Sequence, residues 1–130
     1  MADLLIIDDD LDSADALSMA MTSRRHEVRV GYNGEEGMRL ADERLPDVVL
    51  LDVEMPIMNG PDMALAILIH DLGMENVPVI LLSGIPDLGE VAKEVGTPYF
   101  LNKPYRLAAI TALINRVLDE RVAPHREMMT

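Results

Sequence analysis

Four short apolar runs, each halted by a polar side chain, constrain this chain more than any other feature. Leu4–Ile7 stops at Asp8 and Asp9. Val48–Leu51 stops at Asp52, Val79–Leu82 at Ser83, and Tyr99–Leu101 at Asn102 and Lys103. Val28-Arg29-Val30 reads as a further short strand. Runs this short and rich in β-branched residues predict strands, and strands apolar at successive positions predict burial on both faces of a sheet. Longer stretches with helical spacing lie between them. Leu11, Ala14, Leu17 and Met21 mark the first. In the second, Asn33 is the expected N-cap, Glu36 stands at the capping-box position, and Met38, Ala41 and Leu45 share a face. The turn residues Pro56, Asn59, Gly60 and Pro61 precede a third helix over 63–71, and a short fourth over 88–95 stops at Gly96. The last carries Leu107, Ile110, Leu113, Ile114, Val117 and Leu118, with Pro124 as its expected end.

Alternating strands and helices with doubly apolar strands predict an α/β fold with an open, mostly parallel sheet covered on both faces. Right-handed crossovers leave few topologies. The expected fold is a flavodoxin-like, doubly wound (βα)5 sheet with strand order 2-1-3-4-5. A single domain over residues 1–122 is expected, followed by a tail over 123–130 that frays from His125.

Composition excludes several function classes. The 130 residues hold 23 acids against 11 bases, a net charge of −12. Nucleic-acid binding and adhesion to anionic membranes are not expected, because both need Lys and Arg. With no cysteine, disulfides and thiolate chemistry are excluded. No basic leader precedes the first run, and no apolar stretch approaches the roughly 18 residues of a membrane span. A cytoplasmic location follows as an expectation. His26, His70 and His125 stand apart without ligand spacing.

The chemistry sits at the strand ends. In a parallel sheet all strand C-termini share one edge, where ligands bind near the switch in strand order. Asp8, Asp9, Asp52, Ser83 and Lys103 are therefore expected to converge. Two carboxylates about 4 Å apart repel by roughly 4 kcal/mol at an effective dielectric of about 20. One lysine does not offset three of them, and a hard divalent cation such as Mg2+ does. A cation, a lysine and a hydroxyl together suit a phosphoryl group, and Asp52 is then a candidate nucleophile. Asp10, Asp12 and Asp15 read instead as acids at the start of the first helix.

These residues carry a family resemblance. Ile6-Ile7-Asp8-Asp9-Asp10, Leu50-Leu51-Asp52-Val53-Glu54-Met55-Pro56, Asn59-Gly60, Leu82-Ser83-Gly84 and Asn102-Lys103-Pro104-Tyr105 resemble the receiver domain of two-component response regulators, over residues 2–121. The resemblance implies that Asp52 accepts a phosphoryl group from a phosphohistidine donor. Asp8, Asp9, Asp52 and the backbone carbonyl of Glu54 would hold Mg2+. Ser83 and Lys103 would contact the phosphoryl group, and a cis peptide between Lys103 and Pro104 would aim the lysine. Phe100 falls at the family's aromatic switch position, linked through Ser83 to the face made by the fourth helix, fifth strand and last helix. Implied partners are a sensor histidine kinase or histidine phosphotransfer protein, and an unidentified downstream protein. A stand-alone domain is expected, one that catalyses only its own phosphorylation and dephosphorylation.

Two other readings remain beside it. One is a binding module that works without phosphorylation. The other is a Mg2+-dependent phosphatase with an aspartyl nucleophile, disfavoured because Pro56 interrupts its expected motif. Met63–Ile69 is apolar nearly all round. That leaves two-sided burial, a merely apolar surface, or a homodimer contact through this helix, with the switch face as the other dimer route.

Overall fold

The second and third apolar runs become strands buried at every position, β3 (Val48–Asp52) and β4 (Val79–Ser83). The computed structural model describes residues 2–52 and 68–125. Before β3 come β1 (Asp3–Ile7), α1 (Leu11–Ser23), β2 (Glu27–Gly31) and α2 (Gly34–Glu43). Residues 68–74 are helical (α3), and after β4 come α4 (Leu88–Val95), β5 (Tyr99–Asn102) and α5 (Leu107–Glu120). All strand pairs are parallel, in the order β2-β1-β3-β4-β5. This is the predicted doubly wound sheet.

Strand alternation splits the core in two. Leu5, Ile7, Val49, Leu51, Val79 and Leu81 face one side, where Ala41 of α2, Leu68, Ile69 and Leu72 of α3 and Leu88 and Ala92 of α4 cover them. Leu4, Ile6, Val48, Leu50, Ile80 and Leu82 face the other, under α1 and α5. The final helix buries Ile110, Ile114 and Val117, the stripe that its spacing predicts.

Helix ends follow local chemistry. Asp10 caps α1, its carboxylate accepting from the N–H groups of Asp12 and Ser13. Asn33 caps α2 by accepting from Glu36 N at 2.7 Å. Glu36 accepts from Tyr32 N rather than from Asn33 N, so the capping box closes one residue early. Gly96 ends α4 with φ at 87°, a left-handed conformation that a Cβ would strain.

Three expectations are corrected. Leu11 and Leu107 are 57% and 43% exposed; each is the first residue of its helix. Leu45 lies two residues beyond the end of α2 and is exposed. Arg121 ends α5 in a left-handed cap, well before Pro124. The chain beyond is tied back, with His125 N donating to Gly96 O at 2.7 Å. The turn at 56–61, residues 63–67 of the expected third helix and residues 126–130 of the tail lie outside the described residues. In the described part of α3, Leu68, Ile69 and Leu72 are buried and His70 is exposed.

Candidate phosphoryl-acceptor site

Parallel pairing sets the C-terminal edge of the sheet. Ile7 pairs with Leu51, Asp52 with Leu82, and Ser83 with Asn102. The residues ending these strands therefore stand side by side. Asp8 is buried just past β1, its N–H donating to Gly31 O at 3.0 Å and its Oδ1 accepting from Asp10 N at 2.9 Å. Asp9 is exposed. Asp52 points toward the α1/α5 side, since residues two apart on a strand share a face and Val48 and Leu50 lie there.

Asp52 is the centre of the arrangement. Its side chain is 3% exposed, and Lys103 Nζ donates to Oδ2. Oδ1 is buried with no hydrogen-bond partner among the described residues. Burial pushes the Asp52 carboxyl up to about 7; Lys103 pulls it down, and the neighbouring Asp8 pushes it up. A buried carboxylate oxygen left open normally costs a native fold free energy. Asp8 and Asp52 together fit a cation, which would relieve both the desolvation and the mutual repulsion. Among the described residues no three acidic, His or Cys side chains form a metal cluster; Asp8 acts on Asp52 directly, and Asp9 is exposed. Glu54 lies outside the described residues.

Local turns hold the remaining groups. Lys103 N donates to Ser83 O at 2.8 Å, and Asn102 Nδ2 donates to Ile85 O at 2.8 Å. These bonds tie the loop after β5 to the loop after β4. The Lys103-Pro104 peptide is cis, as the resemblance implied. Ser83 is fully buried, its Oγ accepting from Ile85 N at 3.2 Å. Phe100 is 41% exposed, so it is not a core residue. Its ring crosses α4 at Gly89, where an added Cβ would approach the ring to 3.3 Å.

Sequence reasoning missed Tyr105. Its ring is half-buried beside the site. Burial raises its phenol first, Lys103 lowers it, and the charges of Asp52 and Asp8 raise it. Tyr105, Ser13 and Asp52 share a cavity of about 690 Å3. Its position directly after Lys103-Pro104 was the one available signal.

Comparison with known proteins places the chain. The family model described as the response regulator receiver domain matches residues 4–115. Protein PilH of Pseudomonas aeruginosa is 32% identical over 120 residues, covering 91% of this chain and 98% of its own. Transcriptional regulatory protein PrrA of Mycobacterium tuberculosis is 31% identical over 120 residues, covering 91% of this chain and 50% of its own. The chain thus spans about half the length of PrrA. A receiver domain from Clostridium thermocellum superposes with a TM-score of 0.76 at 25% identity, covering 93% of this chain and 97% of that one.

Proposed function

The chain belongs to the response regulator receiver family, and from that membership we propose that Asp52 accepts a phosphoryl group from a phosphohistidine donor. The observation that carries this reading is the buried Asp52 carboxylate, with Lys103 on Oδ2 and Oδ1 open. The carboxylate oxygen without a hydrogen-bond partner among the described residues is the candidate nucleophile.

Each neighbouring group then has a task. Lys103 orients the carboxylate before transfer and balances the phosphoryl charge after it. Among the described residues the Ser83 hydroxyl only accepts, from Ile85 N, so its proton is available to donate. When it turns toward a phosphoryl oxygen, the space it leaves lets Phe100 move inward across Gly89. That remodels the α4/β5/α5 face by a shift between two packings. Asp8, Asp9, Asp52 and the Glu54 carbonyl would hold Mg2+, which when bound supplies charge neutralisation among the carboxylates and phosphoryl oxygens.

Receiver domains are phospho-accepting signalling modules rather than turnover enzymes. On this reading the chain catalyses only gain and loss of its own phosphoryl group. Its donors are a sensor histidine kinase or a histidine phosphotransfer protein, and its output is a protein contact or onward transfer. A single unit over residues 1–122 and a cytoplasmic setting fit this role; no described helix is long and apolar enough to cross a membrane. Incubation with Mg2+ and phosphoramidate should add one phosphoryl group per chain by intact mass, and Asp52→Asn should add none. An adduct that survives Asp52→Asn would overturn the assignment. No adduct on the native chain would favour the phosphorylation-independent module.

A further inference from the structure

Two glycines bring α2 hard against the strand ends beside Asp8. Ile7 and Gly31 are paired where β1 and β2 end. A Cβ on Gly31 would stand 2.9 Å from Gly37 N and 3.0 Å from Gly37 Cα, both backbone atoms of α2. A Cβ on Gly37 would stand 2.4 Å from Ile7 Cδ1. Only residues without a side chain allow an approach this close. The contact at Gly37 is the softer one, because the end of the Ile7 side chain can turn aside. At Gly31 the obstacle is backbone.

The next link is Asp8. Its N–H donates to Gly31 O at 3.0 Å, one residue past the paired ends. The chain between Gly31 and Gly37 has little slack. Tyr32 N donates to Glu36 Oε1 at 3.2 Å, Glu36 N to Asn33 Oδ1 at 2.7 Å, and Gly37 N to Asn33 O at 2.9 Å. A side chain added at Gly31 therefore cannot be relieved by moving α2 alone. The end of β2 shifts with it, and so does the carbonyl that holds Asp8. We propose that Gly31, with Gly37 packed on it, is a positioning residue that holds Asp8 where its carboxylate and that of Asp52 share a divalent cation. The proposal rests on the cation reading above. Gly31 acts through Asp8 and contributes no ligand of its own.

The test is urea unfolding of the unphosphorylated chain over a series of Mg2+ concentrations. Stability without Mg2+ reads packing, and the concentration at which stability begins to climb reads the dissociation constant. Gly31→Val suits an extended strand and should raise that concentration about tenfold, the usual cost of losing a group that orients a metal ligand. Gly31→Ala should raise it less, in the same direction, and carries the test should Gly31→Val fail to fold. Gly73→Ala is the control, since its Cβ would stand 2.6 Å from Pro124 O, where α3 meets the chain beyond α5. It should lower the metal-free stability and leave the Mg2+ concentration unchanged. Gly31 variants that lose metal-free stability but keep the native Mg2+ concentration would overturn the proposal and leave the glycines to packing alone. An equal rise in Gly73→Ala would overturn it too, because any loosening of the fold would then weaken the cation. A native chain whose stability ignores Mg2+ would overturn the cation reading itself, and the proposal with it.

Discussion

The two ends of one sheet treat charge in opposite ways. At the N-terminal end Asp3, Arg29, Arg44 and Asp47 all have partners. Asp3 accepts from Arg29 at 3.3 Å and from Arg44 at 2.7 Å. Arg29 also donates to the carbonyls of Leu40 and Arg44, both at 2.7 Å, which closes the end of α2. Asp47 accepts from Asp3 N at 2.8 Å. At the C-terminal end Asp52 is more deeply buried than any of these groups, and one of its oxygens has no partner among the described residues. Matched charges fix a connection. A buried carboxylate with one oxygen left unpaired keeps a position open for a ligand, at a cost in stability.

The contrast breaks most sharply on substitution. Asp52→Asn should abolish phosphoryl uptake while leaving the melting temperature nearly unchanged, because it removes a desolvated charge. Calorimetry alongside intact mass checks both. Arg29→Ala should do the reverse. Losing charge-assisted bonds to two carbonyls and a carboxylate should cost about 2–3 kcal/mol by urea unfolding, with the full phosphoryl stoichiometry retained. An Arg29→Ala chain that folds normally but no longer accepts phosphoryl would erase the distinction between the two ends.

Smaller effects sharpen it. Ser83→Ala should slow phosphoryl uptake on the order of 10²-fold, the usual cost of losing one donor to a charged transition state. Millimolar Mg2+ should raise the melting temperature by mass action, and Asp8→Asn should cancel that rise; a rise that persists would place the cation elsewhere. The least effect belongs to His26, near the N-terminal end, where Nδ1 accepts from Ala2 N at 3.1 Å. Burial, and then nearby positive charge including Arg24, lowers its pKa from 6.5. The unfolded chain therefore takes up a proton first as pH falls. The neutral-His contribution to stability is complete above about pH 6.5 and declines below it. His26→Gln should flatten that part of the stability profile.

Much of this arrangement was legible in the sequence, for a physical reason. Asp52 and Lys103 end or follow doubly apolar strands, and a parallel sheet brings such positions to one edge whatever their sequence separation. Asp10 and Asn33 cap helices through local contacts, which sequence encodes directly. Leu11 and Leu107 misled because helical spacing assigns a face but does not say how deeply the first residue of a helix is buried. Asp9 is exposed where Asp8 is buried, because the chain bends just past β1. Tyr105 was missed because its place against Asp52 depends on how the loop after β5 docks on β4.

The central claim is that Asp52, and no other acid at the C-terminal end of the sheet, takes the phosphoryl group. Borohydride reduction of the phosphorylated chain, followed by peptide mapping, tests it directly. The account predicts conversion to homoserine at position 52 alone. Conversion at Asp8 or Asp9, or at none of the three in a chain that carries the phosphoryl mass, would contradict it.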